Sequence, residues 1–425
     1  PIQEFLATEA AGGILLLAAT VAALLWANLP GGGSYGNFWG SHVTLDLNLL
    51  TLDLTLKKWV NDGLMTVFFF VVGLEIKREI VRGELADRRR AALPIIAALG
   101  GMVAPALIYL AINAGGEGER GWGIPMATDI AFAMGVLALL GRRVPLSLKV
   151  FLLAIAIVDD IGAILVIAVF YTEGLDLAWL AVAGGLCALI GVLPRWGVRD
   201  VIVYSVIGGF VWLAMHESGV HATIAGVVLG LLTPAVAHYN AANLVDRGGR
   251  LIATFSETAS QPTALSRGVP AAALRDLEEL SRESRPVLNR LEHALHPWTS
   301  YGIVPLFALA NAGIGLSGDL IRDSMTSPIT LGVFLGLVLG KPLGIMVASM
   351  IAVRAGVADL PADVRWSQVL GASILAGIGF TVSIFITGLA LSDSGLVDEA
   401  KLGILVGSAL MGVLGFVVLL RAHER

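Results

Sequence analysis

Apolar residues run along this chain in long, nearly unbroken stretches rather than in one stripe per helix, so the pattern is that of buried or lipid-facing segments. A helix that crosses a bilayer needs about 20 mainly apolar residues. Twelve stretches fit: 10–29, 58–80, 92–112, 122–140, 149–171, 177–193, 201–216, 220–235, 297–315, 329–353, 366–391 and 400–420. They predict an all-α polytopic membrane protein with twelve transmembrane helices in one domain, 1–425. The period changes in two places. From Val43 to Leu56 apolar and polar residues alternate, which is strand period and predicts an extracytoplasmic β-hairpin. An exposed hairpin edge can pair with its copy, so this feature points to a homodimer, with a simple loop cover as the plainer reading. The second is a long polar loop, 236–296. Its middle, Gly248 to Gly268, is rich in Ser, Thr and Ala and reads as mobile; Ala271 to Leu295 carries leucines at helical spacing and reads as an amphipathic helix broken at Pro286.

Composition agrees with the pattern. The chain is 56% hydrophobic and 14% charged, against about 45–50% and 25% for soluble domains. Charge placement then orients it. Of 28 Lys and Arg, 22 fall on one side of the predicted membrane, including Lys77, Arg78, Arg82 and Arg88 to Arg90 after the second span. Five fall on the other: Lys57, Lys58, Arg120, Arg322 and Lys401. The rich side is expected to be cytoplasmic, with both termini on it. No basic stripe with interleaved aromatics supports nucleic-acid binding. Cys187, the single cysteine, makes no intramolecular disulfide and no cysteine metal cluster. Pro1 to Glu9 carry no cleavable signal pattern, and the missing initiator Met points to a trimmed start.

The informative residues are the polar ones at membrane depth. A charge at the centre of a spanning helix costs about 2.5–3.5 kcal/mol and usually marks function and a partner. Asp159 and Asp160 fall at the centre of the fifth span. Adjacent helical residues point about 100° apart, so the two carboxylates are expected to do different jobs; a polar kink with Gly162 is the plainer reading. In the fourth span Gly123 and Pro125 break the helix, and Thr128 and Asp129 follow directly. In the eleventh, Gly377 and Gly379 interrupt an apolar run, and Thr381 and Ser383 follow. Paired interrupted helices in opposite halves are a pointer to a transporter binding site, where free carbonyls and half-helix dipoles meet the ion. A glycine-rich helix contact is the competing reading of the eleventh. Lys341 sits at the centre of the tenth span and needs a counter-charge from Asp129, Asp159 or Asp160. Glu75 and Glu79, one helical turn apart near the Arg-rich side, would line a negative mouth, or simply be solvated charges at a helix end. His221 opens the eighth span and is either a capping group or proton-linked.

At these residues the chain strongly resembles the NhaA-type sodium/proton antiporters of bacteria. The resemblance rests on NDGLMTVFFFVVGLEIKRE (61–79), IPMATDIAFAMGVLALLG (124–141), LAIAIVDDIGAI (153–164), SGVHATIAGVVLG (218–230), LEHALHPW (291–298), FALANAG (307–313), GKPLG (340–344) and AGIGFTVSIFI (376–386), and covers nearly the whole chain in order. It implies inverted repeats, with the fourth and eleventh helices interrupted and crossing near the midplane. It implies electrogenic exchange of cytoplasmic Na⁺ or Li⁺ for external protons in a bacterial inner membrane, with no cofactor. By resemblance Asp160 is the main cation and proton carboxylate, Asp159 its neighbour paired with Lys341, and Thr128 and Asp129 balance dipoles or help ligate Na⁺. Glu75, Glu79, Glu292 and His293 correspond to cytoplasmic pH-response positions, His221 to another, and the hairpin to a dimer contact. The chain departs from the family pattern in the long 236–290 loop, where His238 has no clear counterpart.

The expected scheme is competition for one carboxylate site. Na⁺ wants several oxygens, and a carboxylate out of water holds either a cation or a proton. One rival is an intramembrane aspartyl protease, which needs two Asp facing each other from different helices, whereas here the prominent pair is adjacent on one. The other is a sodium-coupled symporter for an organic solute, which would favour Arg or aromatic residues at the midplane.

Overall fold

The computed structural model describes residues 2–29, 33–46, 51–172, 174–196, 198, 201–236, 247–253, 275, 278, 280 and 285–423. Long apolar runs become helices whose ends are set by short polar residues. Helix α1 spans Ile2–Asn28. The strands β1 (His42–Asp46) and β2 (Thr51–Thr55) pair antiparallel, with His42 opposite Thr55 and Asp46 opposite Thr51. A π-helical turn, Trp59–Leu64, leads into α2 (Met65–Arg82). Helix α3 (Arg88–Asn113) is capped by Asp87, whose carboxylate accepts from Arg89 N. After a tight 3₁₀ segment, Glu119–Met126, the chain is extended to Asp129 and resumes as α4 (Ile130–Leu140). Then come α5 (Leu146–Phe170), α6 (Leu177–Val192), α7 (Val201–Glu217) and α8 (Thr223–Leu232). The second half has α9 (Val287–Trp298), a π turn Thr299–Ile303, α10 (Val304–Asn311), α11 (Pro328–Arg354), the pair α12 (Trp366–Ala376) and α13 (Phe380–Ala390), and α14 (Ser394–His423).

The result is a polytopic helical membrane protein with one small hairpin. Among the described residues seven helices are long and apolar enough to cross a membrane, or eight with α12 and α13 as one bent span, against the twelve spans read from the sequence. The sequence spans 201–216 and 220–235 are short helices of 17 and 10 residues. The span at 297–315 and the helix before it are one helical rod from Val287 to Asn311, because a Pro inside the helix (Pro297) is absorbed by the adjoining π turn. The expected start of that amphipathic helix, most of 271–284, lies outside the described residues, as does His238; within the segment read as mobile, 248–253 are helical and 254–268 lie outside.

Small residues let the helices close on one another. A Cβ on Gly226 of α8 would stand 2.1 Å from the Thr66 carbonyl oxygen of α2, and one on Gly344 of α11 the same distance from the Gly100 carbonyl of α3. The main core gathers side chains of α1 to α5, α8 and α10 to α14, while α6, α7 and another part of α8 share a separate cluster around Ala183, Val211 and Ala225. Large apolar side chains such as Leu139, Val169 and Leu177 stay outside, about 70% exposed, as a lipid-facing surface requires.

Candidate ion-binding site

The two broken spans meet at their breaks. Asp129 N donates to Ile378 O at 2.6 Å, and Ser383 Oγ of α13 donates to Ile124 O at 2.7 Å. Each break frees a helix C-terminus and a helix N-terminus in the protein interior, and α12 and α13 bend by 42° at theirs.

The site's charges answer those ends one by one. Asp129 Oδ1 caps α4 by accepting from Phe132 N at 2.9 Å. Its Oδ2 accepts from Thr381 N at 2.9 Å and from Thr381 Oγ1 at 2.6 Å, at the start of α13. One carboxylate thus serves two helix N-termini, each worth about half a positive charge. At the opposite ends, Lys341 Nζ donates to the Met126 carbonyl, where the 3₁₀ segment stops. Thr128 Oγ1 lies 2.9 Å from the Ala376 carbonyl, the last of α12, and 2.7 Å from Asp159 Oδ2.

Asp159 and Asp160 sit on α5 at 0% and 4% exposure. Lys341 Nζ, itself fully buried, is 2.6 Å from Asp159 Oδ2. A π turn, Gly336–Gly340, carries the chain into Lys341 and sets its direction. Asp159 Oδ1 has no hydrogen-bond partner among the described residues. The Asp160 carboxylate makes no hydrogen bond or ion pair among the described residues, although Asp159, Glu75, Asp129 and Lys341 are its charged neighbours. Counting charges, Asp129 is met by two helix dipoles and Asp159 by Lys341, and Asp160 is left without a fixed counter-charge.

A second cluster lies at the Arg-rich end of α2. Arg78 bridges Glu79 (3.1 Å) and Glu292 of α9, and His296 Nε2 is 3.9 Å from Glu75 Oε1. His293 is exposed on α9 and its charge acts on Glu292, while His296, 8% exposed and not singled out from the sequence, is the histidine beside Glu75. Its signal was available: it lies one turn beyond Glu292 in LEHALHPW. Burial pushes the Glu292 carboxyl up from its ordinary value, with Arg78 opposing. His221 also stands elsewhere. It lines a cavity with Asn61 and Asp62, at the other end of α2 from Glu75 and Glu79, so it is not part of the same mouth.

Among the described residues no group of three or more His, Cys, Asp or Glu could hold a metal ion. Comparison with known proteins agrees with the geometry. Residues 3–419 match the family model for Na⁺/H⁺ antiporter 1. The Na⁺/H⁺ antiporter NhaA of Oleidesulfovibrio alaskensis is 48% identical over 100% of this chain and 95% of its own. NhaA 3 of Frankia alni is 47% identical, covering 100% and 89%, and NhaA of Rhodopirellula baltica 48%, covering 99% and 93%.

Proposed function

Since the chain belongs to the Na⁺/H⁺ antiporter 1 family and is a Na⁺/H⁺ exchanger, not an enzyme, we propose that Asp160 is the carboxylate over which Na⁺ and protons compete. The observation that carries this is the charge arrangement: among the described residues Asp129, Asp159 and Lys341 have fixed partners, and Asp160 has none. A bare carboxylate in such a place is costly, so the site holds Na⁺ or H⁺ by turns. The carboxylates of Asp160 and Asp159, the Thr128 hydroxyl and the freed carbonyls of the breaks are the oxygens within the same cluster for Na⁺. Asp129, whose two oxygens already accept three hydrogen bonds, is the dipole balancer rather than a ligand.

Exchange by alternating access follows, because a path open to both sides would leak. Asp159 is the second proton carrier together with Lys341: when Asp160 gives up its proton for Na⁺ and the pair releases another, two proton charges move against one sodium charge, and transport is electrogenic. Li⁺, with the same charge and similar oxygen preference, is a second cargo. The Arg-rich side is the cytoplasmic side of a bacterial inner membrane, both termini lie there, and the Glu75–Arg78–Glu79–Glu292–His296 cluster controls the response to pH. The hairpin is the contact in a homodimer embedded in lipid. The solute symporter has no midplane Arg to support it.

The test is Na⁺-dependent proton movement in reconstituted vesicles across pH, with Asp160→Asn beside the parent. Loss of exchange is expected; transport at the parental rate would remove Asp160 from the site.

A further inference from the structure

At the end of α2 remote from the Arg-rich loops is a cavity of about 280 Å³, lined by Lys58, Asn61, Asp62, His216, His221 and Phe385 among others. Its floor belongs to α2, where the π turn Trp59–Leu64 interrupts the α-helical ladder and turns Asp62 toward the space. Its wall belongs to α7. Trp212 of α7 stacks on Trp59 at 6.4 Å, its indole N–H donates to the Asp62 carbonyl at 3.0 Å, and its other side stacks on the His216 ring at 5.8 Å and 11°. The three rings fix His216 in place without using its nitrogens. Neither the His216 ring nitrogens nor the Asp62 carboxylate make a hydrogen bond among the described residues. Both are half-buried, and His216 and Lys58 are the cations that act on Asp62.

We propose that this cavity is a cation vestibule on the side opposite the Arg-rich loops, in which Asp62 holds monovalent cations and His216 sets its affinity according to the pH on that side. With His216 neutral, Asp62 attracts Na⁺. With His216 protonated, two positive groups, His216 and Lys58, surround the carboxylate, and Na⁺ is repelled. The other titratable groups at hand are His221, on the segment before α8, and Glu217, beside His216 on α7. Among the described residues α13 gives the cavity only Phe385, Gly388 and Leu389, none of which titrates. A protonated vestibule therefore discourages Na⁺ that has left from binding again, and does so most when protons outside are plentiful. This rests on the exchanger reading above.

The experiment uses oriented proteoliposomes in which pH and Na⁺ are varied on one side at a time. The readout is inhibition of exchange by Na⁺ added on the side opposite the Arg-rich loops. In the parent, inhibition should weaken on the order of tenfold as the pH on that side is lowered. In His216→Gln, and in His216→Phe, which keeps the stack on Trp212 but takes up no proton, that dependence should disappear. Asp62→Asn should weaken inhibition at every pH. If both His216 variants keep the parental pH dependence, or Asp62→Asn leaves inhibition unaltered, the vestibule is wrong. A dependence that follows the pH of the Arg-rich side overturns it too. No exchange by the parent would instead fail the functional reading on which the vestibule stands.

Discussion

At the scale of single residues, the chemistry follows from which charges are matched. Asp159 and Lys341 are a fully buried pair, and a pair of this kind is unforgiving of losing one member. Lys341→Ala is expected to lower the melting temperature in detergent by several degrees, with an upper limit of about 3–5 kcal/mol, and to reduce the charge moved per Na⁺. Lys341→Ala with Asp159→Asn should recover part of that stability, because the orphaned carboxylate is gone too. Melting curves of the two single variants and the double variant decide it; strictly additive losses would mean the pair is not coupled. Asp159→Asn is expected to abolish exchange as Asp160→Asn does. Vesicle assays check both losses, and melting curves should separate the two variants, since only the Asp159 change strands Lys341.

At the scale of elements, close approach of backbones is the main restraint. A side chain at Gly226 has no room against the Thr66 carbonyl, so Gly226→Ala should force α8 away from α2 at about 1–3 kcal/mol, read as a lower melting temperature with a folded but weakened protein. The α2–α9 contact has a pH dependence of defined sign. An acid whose value is raised by burial, as that of Glu292 is from 4.5, binds its proton more tightly folded than unfolded. Its contribution is therefore greatest at low pH and is lost as pH rises from about 4.5 through the raised value. Glu292→Gln should accordingly gain stability relative to the parent as pH rises, and a melting-temperature difference that stays flat with pH would contradict it.

At the scale of the whole molecule, the hairpin is set apart from the bundle core. The His42–Asp53 and Thr44–Asp53 contacts across the two strands are exposed and hold the hairpin rather than the bundle. Deleting 43–54 should shift the protein from dimer to monomer by light scattering in detergent while Na⁺-dependent proton movement persists. A dimer that survives the deletion would place the contact elsewhere.

Much of this was legible in the amino acids, for reasons that belong to the bilayer. Twenty apolar residues have little choice but to be a spanning helix, so the class follows from hydropathy. A strand period shows itself against such a background, and β1 and β2 lie where alternation put them. Gly and Pro announce broken helices, and a carboxylate at mid-depth announces a site. What the chain did not disclose depends on rotation and distance. Three π turns, at 59–64, 299–303 and 336–340, turn Asp62, α10 and Lys341, and no composition marks them. Adjacency told that Asp159 and Asp160 differ, but only the packing of α11 against α3 brings Lys341 to Asp159 and leaves Asp160 bare. His296 faces Glu75 because a helix shows each neighbour one side, and which side is fixed by everything else it touches. The sequence by itself determined which residues are too polar for their depth. The tertiary structure decided which of them are already answered, since partners for a buried charge come from helices hundreds of residues apart.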